Sequence, residues 1–223
     1  MTSVALVVMT DGRRECIERS IPAALDNLKG HPITRRLICD DSGDLDYLAW
    51  LTENFPTFDL VTAWDRTGCA EAVRRAWMHA AACGDEQWVF WLEDDFIVER
   101  PVDLAAMAEV LTVEPQLSQM VLLRQAWFGN EVEAGGLIET DPSAYTDRCT
   151  AGHDWLEHRL GHWMNPHLVA RSFLVDHEWP TGAWSEAAFS RQMRDEGRSS
   201  GFWGARGDAP LVTHVGERRG TGY

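Results

Sequence analysis

The sequence predicts an α/β fold in which a mixed, mostly parallel sheet is flanked by helices. Short apolar runs alternate with helical patterns along the first half of the chain, and three of these runs end in acidic residues. The composition is that of an ordinary folded protein, with 45% hydrophobic and 25% charged residues among 223. Strands that alternate with helices in this way form βαβ units, and one domain is expected for a chain of this length.

Four apolar runs in the first half predict buried strands, at residues 4–9, 37–39, 58–63 and 88–92. Helical patterns follow the first three runs, at about residues 15–28, 45–51 and 69–83. Ligands of parallel sheets bind beyond the carboxyl ends of the strands. The acidic residues that follow three of these strands are therefore predicted to share one binding edge: Asp11, then Asp40 and Asp41, then Glu93, Asp94 and Asp95.

The second half has a less regular pattern. Helices are predicted at residues 104–111 and 185–196, the second with Ser185 as its N-cap, and strands at residues 120–123 and 168–175. Residues 129–167 are rich in Gly, Trp, His and Asp and are predicted to be irregular. No repeat or linker separates the halves, so we expect a single domain over residues 1–223.

Charge and cysteine content exclude several classes of protein. The formal net charge of -15 argues against a protein that coats nucleic acid. No apolar run approaches the roughly 18 residues of a membrane helix, and the N-terminus lacks signal-peptide features, so we expect a cytoplasmic protein. The cysteines are scattered and form no CxxC pair, which argues against a disulfide framework or zinc ribbon and predicts reduced core thiols at Cys16, Cys39, Cys69, Cys83 and Cys149.

The acidic triplet (Glu93, Asp94 and Asp95) follows the apolar run WVFWL. Three adjacent carboxylates repel one another, and burying them without a cation is costly. Hard cations such as Mn2+ or Mg2+ remove this repulsion, and they often bind one or two carboxylates together with substrate phosphates. The triplet therefore favours a metal site with a nucleoside diphosphate over the alternative, a solvated acidic turn that caps the next helix.

At these residues the chain resembles the GT-A-fold, nucleotide-sugar-dependent glycosyltransferases, whose DxD motif has the form EDD in some members. The resemblance implies a GT-A-like, Rossmann-like sheet, with a nucleotide-sugar-binding half at residues 1–100 and an acceptor-binding half at residues 101–223. It also implies that the last acid of the motif, Asp95, holds the metal. The residues implied to bind the nucleotide sugar are Thr10, Asp11, Arg13, Asp40, Asp41, Glu93 and Asp94.

Two downstream segments extend the resemblance. PTGAWSEAAF is similar to the family's glycine-containing loop before an acid at a helix start, which implies Glu186 as the catalytic base, and we expect the helix dipole to keep its pKa low. PLVTHVGE is similar to the segment that carries the family's late metal-binding histidine, which implies His214 as a metal ligand. Ala187 stands where the family often has a second acid, so Asp176 and Glu178 remain alternative bases. For Glu186 itself, stabilisation of the helix start through the macrodipole remains the alternative role. An ordinary strand-end histidine remains the alternative for His214.

The C-terminal residues 215–223 are expected to fold over the donor and so complete the metal site at His214. Arg13, with Arg218 or Arg219, is expected to add positive charge at the phosphates.

Four histidines are the basis of a competing zinc site: His153, His158, His162 and His167. The HExxH pattern fails because Arg159 follows His158, and Gly161 weakens a helix there. We expect these histidines instead to line or pack the wall of an acceptor cleft, together with Trp155 and Trp163.

The sequence thus predicts a metal-dependent glycosyltransferase that moves a sugar from a nucleoside diphosphate sugar to a hydroxyl acceptor, with inversion. The sequence does not identify the acceptor, and four kinds of hydroxyl compound remain alternatives: a saccharide, a protein, a small molecule and a modified DNA base. One alternative is a nucleotidyltransferase of related fold, whose usual Gly-rich, Lys-bearing signature is absent after the first strand. The other is a catalytically inactive module that binds a sugar or nucleotide.

Overall fold

The computed structural model describes residues 2–82, 84–159 and 161–216. The strands in this part of the chain are β1 (Val4–Thr10), β2 (Leu28–Lys29), β3 (Ile33–Asp40), β4 (Asp59–Thr62), β5 (Trp88–Glu93), β6 (Phe96–Val98), β7 (Val102–Asp103), β8 (Leu117–Leu122), β9 (Tyr145–Thr150), β10 (His153–His158), β11 (His167–Ala170), β12 (Ser199–Trp203) and β13 (Val212–His214). The α-helices are α1 (Arg14–Asn27), α2 (Leu45–Asn54), α3 (Cys69–Ala82), α4 (Leu104–Val113), α5 (Gly129–Ala134), α6 (Leu137–Thr140), α7 (Arg171–Asp176) and α8 (Ser185–Asp195). None of these helices is long and apolar enough to cross a membrane.

Nine of the strands form one mixed sheet in the order β4-β3-β1-β5-β11-β8-β12-β10-β9. The strands of the first half are parallel, since β1 pairs with β3 and β5, and β3 pairs with β4. In the second half β11 is antiparallel to both of its neighbours, β12 is parallel to β8, and β10 is antiparallel to β12 and β9. The predicted α/β fold class is confirmed.

Helices cover both faces of this sheet. Along β1, Leu6 and Val8 pack with residues of α1, α2 and α4, whereas Ala5 and Val7 pack with residues of α3, α7 and α8. Successive strand residues point to opposite faces, so a strand covered on both sides must be apolar throughout. This is why β1 forms a continuous apolar run in the sequence.

The register of the parallel strands determines which residues meet at their carboxyl ends. Thr10 of β1 is opposite Asp40 of β3, and Met9 of β1 is opposite Glu93 of β5. The three acidic turns therefore lie side by side at one edge of the sheet, as the sequence predicts.

The prediction of an irregular segment over residues 129–167 was wrong. This segment contains α5, α6 and a hairpin of β9 and β10 at the edge of the sheet. The hairpin turn, Ala151 and Gly152, has φ angles of 53° and 83°, the backbone that a two-residue turn of type I′ needs. The strand sequences YTDRCT and HDWLEH contain no continuous apolar run, because polar and charged residues occur along both strands.

The strand predicted at residues 168–175 was right only for its first part. β11 ends at Ala170, and α7 follows directly. The buried side chains of α7, Phe173 and Leu174, prolong the apolar run, and a short run does not distinguish a strand from a buried helix.

The four described cysteines are all free thiols. Cys16 and Cys39 are buried and Cys69 is half-buried, but Cys149 is exposed on the edge strand β9, so the prediction of core thiols was wrong for Cys149. Cys83 lies outside the described residues.

Candidate active site

Asp94 lies fully buried in the turn between β5 and β6. Its Oδ2 accepts a hydrogen bond from Thr10 Oγ1 at 2.7 Å, its Oδ1 forms an ion pair with Arg13, and the Thr10 hydroxyl is also 2.7 Å from the hydroxyl of Tyr47. Burial raises the pKa of Asp94 to about 7, although Arg13 and Thr10 act to lower it. Asp94 therefore links the carboxyl ends of β1 and β5 through its hydrogen bond from Thr10.

Asp95 occupies the next position and faces a different set of groups. Its Oδ2 is 2.5 Å from Arg13 Nη1 and 3.3 Å from His214 Nε2, whereas its buried Oδ1 has no hydrogen-bond partner among the described residues. Burial acts to raise the pKa of Asp95, but the hydrogen bond from His214 and the charge of Arg13 bring it below its ordinary value. A Cβ at Gly216 would overlap Asp95 Oδ2, so the glycine after His214 permits this close approach.

His214 ends β13, which pairs antiparallel with β6 and places His214 opposite Phe96. The imidazole stacks on the Phe96 ring at 4.5 Å between centroids and packs edge-on against Trp127 at 4.1 Å. These contacts hold the ring with Nε2 towards Asp95. Two predicted metal ligands that are far apart in the sequence thus meet in the structure.

The segment after β8 holds the main chain of His214 in place, a role that sequence reasoning missed. Gln125 Nε2 donates to the His214 carbonyl oxygen at 2.9 Å, and Gln125 Oε1 accepts from the His214 N–H at 2.9 Å. The buried pair Arg124 and Glu131, joined at 2.7 Å, fixes the segment, because Glu131 also accepts the N–H of Trp127. No local pattern signals a glutamine that binds a main chain so distant in sequence.

Asp95 and His214 fit a divalent cation. A carboxylate with an unpartnered buried oxygen and an adjacent imidazole form an oxygen and nitrogen donor set suited to Mn2+. Within residues 2–82, 84–159 and 161–216, no cluster of three or more His, Cys, Asp or Glu side chains is placed to hold a metal. A cation here would therefore have two protein ligands and would take its remaining ligands from phosphates and water.

The predicted nucleoside-binding aspartates lie at the ends of β1 and β3. Asp40 accepts hydrogen bonds from Ser42 N and Oγ at 3.0 and 2.9 Å, and burial raises its pKa despite these bonds. Asp11 forms an ion pair with Arg66. Asp40 is opposite Thr10 in the pairing of β3 with β1, and Asp11 follows Thr10 in the chain, so the structure places these three predicted nucleoside-binding residues together.

Asp41 has internal partners on both of its carboxylate oxygens. It accepts from Thr67 N and Oγ1, from Gly68 N at 2.7 Å and from Arg75 Nη2 at 2.9 Å. Burial opposes ionisation, but these donors together bring the pKa of Asp41 below its ordinary value. Asp41 therefore anchors the segment that leads into α3, a structural role that the sequence did not reveal.

Glu186 lies in the first turn of α8, but not in the way the sequence predicts. The N-cap is Trp184, with φ of 63°, and Ser185 is already the first helical residue. Glu186 is an exposed residue, and its Oε1 accepts a hydrogen bond from Met164 N at 3.2 Å. Partial desolvation by surrounding protein raises its pKa, so the expected lowering by the helix dipole was wrong.

Glu93 shares its surroundings with Glu186. Burial is the largest cause of a raised pKa at Glu93, and the negative charges of Asp95 and Glu186 raise it further. Burial raises the thiol pKa of Cys69 at the start of α3, and the negative charges of Glu93 and Glu186 raise it further. The acid at the end of β5 and the acid at the start of α8 are therefore close enough for their charges to interact.

The two alternative bases and the histidines of the competing zinc site have other surroundings. Glu178 lines a groove between α3 and α7, and Asp176 lines a cavity beside Arg198. The rings of His162 and His167 are 5.5 Å apart in an aromatic part of the core, where burial lowers both pKa values. Their neighbourhood contributes no metal-holding cluster among the described residues.

The remaining histidines and the two tryptophans have packing contacts. His153 is 3.8 Å from Glu109, Trp155 is buried in the core, and Trp163 packs against His158. The acceptor cleft stays a prediction. Arg218 and Arg219 lie outside the described residues, as does the tail from residue 217.

We expect Gln125→Ala to weaken Mn2+ binding by about 10- to 100-fold, because the loss of a group that orients a metal ligand has effects of that size. Mn2+ titration followed by electron paramagnetic resonance measures the change. Gln116→Ala, at a glutamine just before β8, is the matched control. Equal Mn2+ affinity in the Gln125 variant and the parent would contradict this role.

No protein-family model and no curated protein sequence matches the chain. Its fold is similar to two solved structures. One is the crystal structure of GalNAc-T7 with UDP, GalNAc and Mn2+, with a TM-score of 0.68 and 10% identity over 97% of this chain and 44% of that chain. The other is the mannosyltransferase PcManGT from Pyrobaculum calidifontis in complex with GDP-Man and Mn2+, with a TM-score of 0.60 and 14% identity over 97% of this chain and 58% of that chain. The chain spans about half the length of these proteins, and the likeness establishes a GT-A-like fold.

Proposed function

We propose that the chain is a metal-dependent glycosyltransferase that moves a sugar from a nucleoside diphosphate sugar to a hydroxyl acceptor. The observation that carries this proposal is the meeting of Asp95 and His214 beside the carboxyl ends of β1 and β5. The GT-A-like neighbours support it, since one was solved with UDP, GalNAc and Mn2+ and the other with GDP-Man and Mn2+.

In this proposal Asp95 and His214 hold Mn2+ or Mg2+. When bound, the cation neutralises the departing diphosphate as a Lewis acid. Gln125, Trp127 and Phe96 keep the His214 ring in position, so the ligand pair is already oriented before the substrate arrives.

Residues 1–100 form the donor half of the proposed enzyme, and residues 101–223 form the acceptor half. The proposed nucleotide-sugar ligands all lie at the carboxyl ends of β1, β3 and β5 or in the turns that follow. They are Thr10, Asp11, Arg13, Asp40, Asp41, Glu93 and Asp94. Asp41 acts through the segment that it anchors, and the buried Asp94 acts through Thr10 and Arg13, which it holds in place.

Glu186 is the proposed general base of an inverting displacement. A base takes the proton of the acceptor hydroxyl as its oxygen attacks the anomeric carbon and the diphosphate leaves from the opposite face. A raised pKa brings the carboxylate closer to the operating pH, where a general base is more effective. The acceptor is proposed only as a hydroxyl compound, namely a saccharide, a protein, a small molecule or a modified DNA base.

Thermal unfolding with UDP-, GDP- and TDP-sugars, each with and without Mn2+, tests the proposal. A ligand that binds the native state raises the unfolding temperature. We expect at least one nucleoside diphosphate sugar to stabilise the protein more in Mn2+ than in EDTA. The absence of any nucleotide-dependent shift at millimolar concentration would overturn the proposal.

Arg13 places a positive charge beside Asp95. Replacing Arg13 is therefore expected to change the affinity for Mn2+ and the affinity for UDP in opposite directions. Arg13→Gln is expected to tighten Mn2+ binding to the nucleotide-free protein about tenfold, because it removes a cation that competes for Asp95 Oδ2. The same change is expected to weaken UDP binding, because a phosphate contact is lost. Calorimetric titrations with each ligand measure both effects.

Arg14→Gln is the matched control. Arg14 is exposed, its side chain donates to the Asp46 carbonyl oxygen at 3.4 Å, and its guanidinium lies over the Trp50 ring. Weaker Mn2+ binding in Arg13→Gln would show instead that Arg13 holds Asp95 in place for the metal.

A further inference from the structure

Trp64 lies between β4 and α3 with almost all of its side chain in water. It is 89% exposed, the highest value among the exposed large hydrophobic residues in the described part of the chain. Tryptophan is highly buried on average, and its large apolar surface is costly to leave in water. The packing of the fold therefore does not account for a tryptophan at this position.

The backbone on both sides of Trp64 is tied to the donor edge of the sheet. Thr62, two residues before it, is opposite Asp40 in the pairing of β4 with β3. Arg66, two residues after it, forms an ion pair with Asp11. The indole is therefore carried by a segment that is held next to both of the aspartates at the ends of β1 and β3.

Two further contacts keep this segment in place. Asp41 accepts hydrogen bonds from Thr67 and Gly68, as described above. Gly43, with φ of 67°, lets the segment pack closely, because a Cβ at Gly43 would lie 2.9 Å from Arg66 N. The position of Trp64 is thus built into the fold rather than left to a free loop.

We propose that Trp64 is the stacking surface for the nucleobase of the donor, an assignment that rests on the proposed function for its ligand class. The carboxylates of Asp11 and Asp40 can bind hydroxyl and N–H groups, but they offer nothing to the flat face of a base. An open indole supplies that face, and base–aromatic stacking tolerates any base.

Calorimetric titration of Trp64→Ala and Trp64→Phe with UDP, GDP and pyrophosphate in Mn2+ tests the proposal. We expect Trp64→Ala to bind UDP and GDP about tenfold or more weakly, and Trp64→Phe to stay within about threefold of the parent, because phenylalanine retains an aromatic face. Pyrophosphate affinity should not change in either variant. Val113→Ala, which removes an exposed hydrophobic side chain at the end of α4, should bind UDP as the parent does.

The outcomes separate this proposal from the one on which it rests. Parental UDP and GDP affinity in Trp64→Ala would overturn the stacking role and leave the glycosyltransferase proposal intact. An equal loss of pyrophosphate affinity would also overturn it, because the defect would then lie at the phosphates. A parent protein that binds neither UDP nor GDP overturns both.

Discussion

Asp95→Ala is expected to abolish the Mn2+-dependent part of nucleotide-sugar binding while leaving the fold intact. Asp95 is the carboxylate that has an unpartnered buried oxygen and contacts His214, so its loss removes the only proposed carboxylate ligand of the cation. We expect the Mn2+ affinity to fall by more than about 100-fold. This exceeds the effect of losing a residue that only orients a metal ligand. Titration with UDP and GDP, in Mn2+ and in EDTA, measures the effect.

Folding and charge need separate controls in this experiment. The unfolding temperature of Asp95→Ala in EDTA should stay near that of the parent, because Arg13 keeps its ion pair with Asp94. Asp26→Ala removes an exposed aspartate of α1 and should bind nucleotide as the parent does. Equal Mn2+-dependent affinity in Asp95→Ala and the parent would remove the metal assignment.

Glu186→Gln should lower turnover by about a hundredfold or more at saturating donor and acceptor, the effect typical of a lost general base. Glutamine is nearly isosteric and can still accept from Met164 N, so donor affinity should be preserved. Asp176→Asn and Glu178→Gln test the alternative bases, and both should turn over as the parent does. Near-parental turnover of Glu186→Gln, or a product with retained anomeric configuration, contradicts the assignment.

The pH dependence of turnover provides a second test of Glu186. A base must be ionised, so turnover should rise with pH through the pKa of Glu186 and level off above it. Partial desolvation raises that pKa above the ordinary value of 4.5, so the acid limb should be displaced to higher pH than for a solvent-exposed glutamate. This limb should be absent from the residual activity of Glu186→Gln.

The parallel half of the sheet could be predicted because its signals are local. β1 and β5 are covered on both faces and must be apolar throughout, and their apolar runs stop where the chain reaches the binding edge at Asp11 and Glu93. The hairpin of β9 and β10 was missed because both strands contain many polar residues and neither forms a continuous apolar run. An edge strand is stabilised by its partner rather than by its own composition.

The pKa of Glu186 shows the limit of sequence reasoning in the site. The position of Glu186 at a helix start is visible in the sequence, and the dipole argument follows from it. Its pKa depends instead on how many protein atoms from other elements surround the carboxylate, and this desolvation has the opposite sign. Sequence position alone therefore gave the wrong direction.

By itself the sequence determined the α/β order of elements and the acidic ends of β1, β3 and β5, because these depend on neighbouring residues in the chain. Only the tertiary structure decided that His214 reaches Asp95, that Gln125 holds His214, and that Asp41 anchors the segment of Trp64. The physical reason is that such contacts depend on sheet register and on the packing of distant segments. Each of these partners is polar and common on protein surfaces, so its role becomes visible only when the fold brings it to its partner.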